Sequence, residues 1–221
     1  MFISPLDLEK QWWILEGGIL LLLNEPSILS IADYSSVISQ LEQTWEHFVS
    51  NETLCTHLPR KTIYESWKRS KQKHIPFNIY NAPMELENGN LLGELENNRL
   101  LLDVISPQLQ DIAEAFRDNV VSFSNENGII LDVRGNKELV SGLHASNYVP
   151  GANWSESAFG TNGIGTALVT GNPVQVFASE HYNAGGRDWI CSSVPVRETL
   201  SGVILGVLTV TAKNTTFLLI T

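Results

Sequence analysis

Residues 151–176, GANWSESAFGTNGIGTALVTGNPVQV, and the answering residues 180–196, EHYNAGGRDWICSSVPV, decide how this chain is read. Clusters of Gly, Asn, Ser and aromatic residues flank one short run of helical character, 162–169, and one β-like run, 173–177. Glycine permits turns and close backbone approach, while Trp154, Phe159, Tyr182 and Trp189 supply flat apolar walls, most of them with a polar handle. Thr161, Asn162, Thr166, His181, Cys191 and Ser192 are placed to turn hydrogen-bonding groups inward. Apolar walls with a few polar fixtures are what a small-molecule pocket is made of. An ordinary glycine-rich surface loop has the same composition, and each aromatic taken singly reads equally well as core.

The bulk properties set outer limits. A chain of 221 residues holds one fair-sized domain with a helical extension, and 43% hydrophobic with 17% charged residues is a globular composition. A net charge of -10 argues against direct nucleic-acid binding by the chain as a whole, because phosphate contacts need positive potential. Cys55 and Cys191 are too few for a disulfide framework and too far apart for a C-x-x-C site, so a reducing, cytoplasmic setting is expected. The run 12–23, WWILEGGILLLL, is shorter than the roughly 20 apolar residues of a spanning helix and carries Glu16 and a Gly17-Gly18 pair. Neither a membrane span nor an export signal is expected from it.

Asn24-Glu25-Pro26 reads as a helix start, and Ile38, Leu41, Trp45 and Phe48 repeat at helical spacing, so 26–50 is expected to be mostly helical. A second helix is expected over 60–74, which holds Arg60, Lys61, Lys68, Arg69, Lys71 and Lys73; these basic residues read as a solvated face or a contact with an acidic partner. Residues 75–89, with Pro76, Pro83 and Asn88-Gly89, read as a linker. Leu91, Leu95, Leu102, Ile105, Leu109, Ile112 and Phe116 then fall on steps of three and four, with Asn98 in a core-type position and a kink or fresh start expected at Ser106-Pro107. That stripe either packs on the chain's own sheet or pairs with its copy in a homodimer, where Asn98 would fix register.

Past Asn119 the pattern turns to short strands. VVSFSN, the turn at Asn127-Gly128 and IILDVRG form a hairpin signal; 137–147 reads as a short helix; PVQVFA, WICSSVPVR and VILGVLTVTAK read as buried antiparallel strands. The economical fold is α+β, a central antiparallel sheet with flanking helices.

Several chemistries lack their residues. Gly160 to Gly165 matches the first half of a phosphate loop, but Thr166-Ala167 stands where the lysine is required, and no G-x-S-x-G or H-E-x-x-H motif occurs. His181 and Cys191 are the one reactive pair expected near each other, without an orienting third group, and Glu180 alone does not complete a metal site with them. No catalytic residue, metal or cofactor is therefore assigned.

W-S-E-x-x-x-G-T-N-x-I-G-T-A-L from Trp154, P-V-x-V from Pro173, E-H-Y from Glu180 and W-x-C-S-x-x-P-V from Trp189 together resemble the sensory GAF domain of bacterial sigma-54-dependent transcriptional activators, of the type that regulates acetoin or dihydroxyacetone catabolism. I-x-x-S-W-x-R-S from Ile63 is similar to the element that precedes that domain. The resemblance covers 41–213 and implies a non-enzymatic module that binds a small organic effector and signals through helix packing. In whole regulators such a domain controls an AAA+ ATPase and a DNA-binding helix-turn-helix. This sequence reaches Thr221 without either, so the expectation is a stand-alone sensor, a remnant of a longer gene, or a fragment whose effector part lies elsewhere, with an AAA+ effector protein in trans as a partner that would fit. The expected division is an N-terminal extension over 1–40, a helical segment and linker over 41–89, the GAF-like domain over 90–214 and a tail over 215–221. A cysteine-dependent free-standing reductase and a dimerisation module with a non-functional pocket are the two rival readings.

Overall fold

The computed structural model describes residues 34–50 and 59–214. The apolar run 12–23, the helix start at Asn24, Cys55 and the tail 215–221 lie outside the described residues. Four helices come first: α1 Tyr34–Val49, α2 Lys61–Gln72, α3 Asn88–Asn97 and α4 Arg99–Ala115. The hairpin β1 Val120–Asn125 and β2 Ile130–Gly135 follows, then α5 Lys137–His144, α6 Glu156–Phe159 and α7 Gly163–Thr170, and finally β3 Val174–Phe177, β4 Trp189–Arg197 and β5 Ile204–Lys213. The five strands form one antiparallel sheet in the order β2-β1-β5-β4-β3. The α+β architecture with a central antiparallel sheet and flanking helices is the expected one. No helix among the described residues is long and apolar enough to cross a membrane.

Strand alternation sorts the sheet into two faces. Val121, Phe123, Leu208 and Val210 meet Ile105, Leu109 and Ile112 of α4 on one face. Phe177 and Ile190 continue that side under Val37 and Leu41 of α1. On the other face Val120, Val174, Val176, Cys191, Trp189 and Val207 join Trp154, Phe159, Ile164 and Tyr148 in the larger core. Trp45 and Phe48 of α1 and Ile63 and Trp67 of α2 are buried in that same cluster.

Three expectations need correction. The helix over 91–116 is divided at Asn98, not at Pro107: the Asn98 side-chain amide and backbone N–H both donate to the Glu94 carbonyl, at 3.0 and 3.1 Å, and close α3. Pro107 lies inside α4, exposed, between Ile105 and Leu109, whose anchorage on the sheet holds the helix across the missing N–H. Asn98 is thus a helix-ending residue, half-buried and spent on its own chain. Of the two readings of the apolar stripe, packing on the chain's own sheet is the one seen for Ile105, Leu109 and Ile112. Residues 75–89 are strapped to the body: Ala82 and Leu86 donate backbone N–H groups to Ser146 and Gly151, while Phe77 and Ile79 accept from Ala184 and Gly185.

Candidate functional site

The glycines of GTNGIG let α7 approach its neighbours more closely than a side chain would allow. A Cβ on Gly163 would strike Ser193 Oγ and Cys191, and one on Gly165 would strike the backbone of Glu156. Asn162 starts α7: its Oδ1 accepts from Gly165 N at 2.9 Å, and its Nδ2 donates to the Trp154 and Gly160 carbonyls, both at 2.9 Å. Every side-chain polar atom of Asn162 is therefore employed in holding the loop.

The aromatic residues form a ladder with their rings inward. Trp154 meets Tyr148 and Phe159 edge to face, with centroids 4.8 and 4.6 Å apart, and its Nε1 donates to the Asn147 carbonyl at 3.1 Å. Tyr182 lies against Gly160, and Trp189 lies against Gly142 of α5 with Lys213 over its ring. All four predicted aromatics are buried. The two sequence segments do close on one another: Tyr182 N donates to the Thr161 carbonyl at 3.1 Å.

Beneath the ladder the inner sheet face carries a group of neutral hydrogen-bonding side chains that composition alone had not marked. Ser122 and Ser124 from β1, Ser193 and Cys191 from β4, and Thr209 and Thr211 from β5 all share the face of Val120 and Val207. The Tyr148 hydroxyl bonds Ser122, with Thr211 and Thr209 close by. Ser193 Oγ and Thr209 Oγ1 are 2.8 Å apart, and Cys191 Sγ and Thr211 Oγ1 3.6 Å. Ser124 Oγ, fully buried, has no partner. The period-two Ser and Thr of VVSFSN and LTVTA were the available signal: polar residues at the positions that alternation turns inward.

Burial governs protonation here. It pushes the Tyr148 hydroxyl upward, with nearby Cys191 adding to the rise against the hydroxyls that lower it. It pushes the Cys191 thiol up to about 12, despite the hydrogen bond to Thr211, so the thiolate needed by cysteine chemistry is disfavoured. It lowers His181 to about 4, against the raising effect of the Ala178 carbonyl, to which Nδ1 donates at 3.0 Å. His181 and Cys191 are each occupied with a different partner, Ala178 and Thr211, and do not form a nucleophile–base pair. Ser192 points to the opposite face of β4 from Cys191, where Gln175 Nε2 donates to it at 3.4 Å.

Two carboxylates, Glu156 and Glu180, are almost wholly buried in the loops that the sequence singled out. Arg69 grips Glu156 through two bonds of 2.7 and 2.9 Å, and Thr166 Oγ1 adds a third at 3.2 Å. Ser66 Oγ also bonds Glu156 and is 2.7 Å from Thr161 Oγ1. Hydrogen bonding to Glu156 raises the Arg69 pKa against the lowering effect of its burial. Arg60 grips Glu180 in the same forked manner, at 3.0 and 2.5 Å, and Trp67 Nε1 donates to the Glu180 carbonyl at 2.7 Å. Thr161 and Thr166 thus belong to a network that fixes the loop. The reading of the basic helix as a solvated or partner-facing surface is corrected for its arginines, which turn inward. No local pattern announces pairs so far apart in sequence.

An open cleft of about 520 Å³ lies beside the β1–β2 turn, bordered by Asn125, Ile129, Asn153, Gly165, Leu168 and Val169 with Glu85, Glu94 and Glu126 at its rim. None of the residues expected to bind a ligand lines it, although Glu156, Gly165 and Leu168 of the same motif do. Among the described residues no group of three or more His, Cys, Asp or Glu side chains could hold a metal ion.

The comparisons agree with this architecture. The chain is 32% identical over 167 residues to the acetoin dehydrogenase operon transcriptional activator AcoR of Bacillus subtilis, covering 73% of this chain and 28% of that protein. It is 30% identical over 171 residues to the propane 2-monooxygenase operon transcriptional activator MimR of Mycolicibacterium smegmatis, covering 76% of this chain and 28% of that one. It therefore spans little more than a quarter of the length of these curated relatives. Among solved structures, the E. coli DhaR(N)-DhaL complex contains a chain that superposes with a TM-score of 0.65 at 19% identity, over 70% of this chain and 52% of that one, a likeness of fold. The expected kinship with the input region of such activators holds, and the match of residues 39–220 to the MimR N-terminal domain model places this chain in that family.

Proposed function

We propose that this chain is the effector-binding input module of a transcriptional activator, acting in the cytoplasm, without ATPase, DNA-binding or catalytic function of its own. A small neutral organic guest hydrogen-bonds to the hydroxyls of Ser122, Ser124 and Tyr148 beneath Trp154 and Phe159, with Cys191 and Trp189 farther along the same sheet face. The observation that carries this reading is the buried Ser124 Oγ without a partner, two residues from Ser122 on the sheet face that also carries Thr209. A buried hydroxyl left unbonded costs about 1–3 kcal/mol, which a guest's oxygen would recover. An anionic guest would meet no compensating charge among those side chains.

Calorimetric titration of the chain with a vicinal diol, a hydroxyketone and the corresponding hydroxy acid tests the reading. The neutral compounds are expected to bind and the acid not to. Tyr148→Phe and Ser124→Ala are each expected to weaken binding about tenfold. Unchanged affinity in both variants would move the site elsewhere, and Trp154→Ala serves as the control for the wall. Output through a protein partner, an AAA+ effector in trans, is in keeping with a fold neighbour solved as a complex with another protein. Should the module act as a homodimer, the outer side of α3 and α4, with Leu92, Leu100 and Val104 exposed, is the face left for it. Sedimentation of Leu100→Glu against the parent chain checks that.

A further inference from the structure

Residues 60–73 hold six of the chain's basic side chains, and the structure divides them by type. Lys61 and Lys73 are exposed, Lys68 pairs at the surface with Glu65, and Lys71 caps the Phe48 carbonyl at 2.6 Å. The two arginines instead reach the two buried carboxylates of the loops, one each. Arg60, at the N-terminal end of α2, holds Glu180 and the Gln175 carbonyl. Arg69, nine residues on, holds Glu156. On the same helix Trp67 bonds the Glu180 carbonyl, while Ser66 and Ser70 bond Thr161. The contacts of Arg60, Ser66, Trp67, Arg69 and Ser70 are directional bonds from one helix and its N-terminal end to two separate segments, and forked arginine–carboxylate pairs fix orientation as well as distance.

We propose that Arg60 and Arg69 are positioning residues for the effector site, and that through them α2 sets the spacing of the two loops, so that neither loop loosens without the other. The segment 156–166 and the segment 175–182 then behave as one body with α2 between them, and displacement of either is felt along the helix. The consequence for binding rests on the proposed reading of the first segment, through Phe159, as a wall of the effector site. The coupling itself does not, since it is carried by bonds present without a guest.

Backbone hydrogen exchange on the whole chain tests it without ligand. Removing one partner alone would leave a buried charge and risk unfolding, so the variants are the charge-silent pairs Arg69→Met with Glu156→Gln, and Arg60→Met with Glu180→Gln. The first pair is expected to speed exchange about tenfold or more not only at 156–166 but also at 178–182 and along 63–70, while the central strand β5 is unchanged. The second pair is expected to do the reverse, loosening 156–162 from a distance. Acceleration confined to the loop that lost its carboxylate overturns the proposal. So does unaltered exchange in α2, because the direct Tyr182–Thr161 bond would then carry any coupling. Equal acceleration in β5 also overturns it, since the arginines would then hold the whole fold and not the loops in particular. Failure of the titrations under Proposed function, with this pattern present, would remove the guest and leave the coupling.

Discussion

His181 sits fully enclosed with its ring neutral, lowered to about 4 chiefly by burial. In the unfolded chain the same imidazole takes up a proton below its ordinary 6.5, while the folded chain refuses it until near 4. Stability is therefore undiminished by this group above pH 6.5, falls as pH drops through that window, and stops falling on its account once both states are protonated. Urea titrations between pH 7 and 4 should show a decline of a few kcal/mol that His181→Gln lessens, whatever that variant costs at neutral pH. Cys191 offers a second reading of burial. In a Cys55→Ser background a disulfide reagent is expected to leave the thiol unmodified at pH 8 in the native chain and to react fully in denaturant. Rapid native labelling would restore the reductase reading. At this scale the sequence marked two segments that the fold brings together and was silent about the pairings within them. Trp154 and Phe159 could be named as aromatics set among glycines and small polar residues, whereas Arg69 and Glu156 share no periodicity with one another and meet only because the fold brings α2 over the loop.

For elements, the decisive comparison is between Asn98 and Pro107. A proline inside an α-helix removes one N–H and crowds the preceding turn, so a break there was the reasonable expectation. The sheet contacts of Ile105 and Leu109 on either side outweigh that penalty, and the chain breaks one turn after Glu94, where the Asn98 amide can seize a carbonyl. Pro107→Ala is accordingly expected to raise stability by about 1 kcal/mol, and Asn98→Ala to lower it by about 1 kcal/mol, in thermal or urea unfolding. The hairpin β1–β2 and the strands β3, β4 and β5 were legible because alternation and turn residues are local signals. The inward hydroxyls were less so, since Ser and Thr at period two read as solvent-facing until the second layer of helices is known to cover them. Gly165→Ala tests the closeness of that second layer. With the Glu156 backbone in the way, a loss of roughly 2–4 kcal/mol is expected, large for one methyl group and in line with overpacking against main chain.

Taken whole, the molecule does not divide where its composition changes. Trp45, Phe48, Ile63 and Trp67 lie in the same buried cluster as Val120 and Trp154, so α1 and α2 pack into the same body as the sheet face that carries the proposed site. A chain shortened to 90–214 is expected to lack cooperative thermal unfolding and dispersed amide resonances, and one covering 34–214 to show both. A folded, stable 90–214 fragment would show the early helices to be an appendage. The strand order carries one more consequence. β5, the last of these five strands in chain order, lies between β1 and β4. On the ribosome, the first hairpin and the β3–β4 pair must wait as unconnected halves with their inner edges bare until residues 204–213 clear the exit tunnel. Such a nascent chain exposes bare sheet edges for longer than one whose central strand is made first.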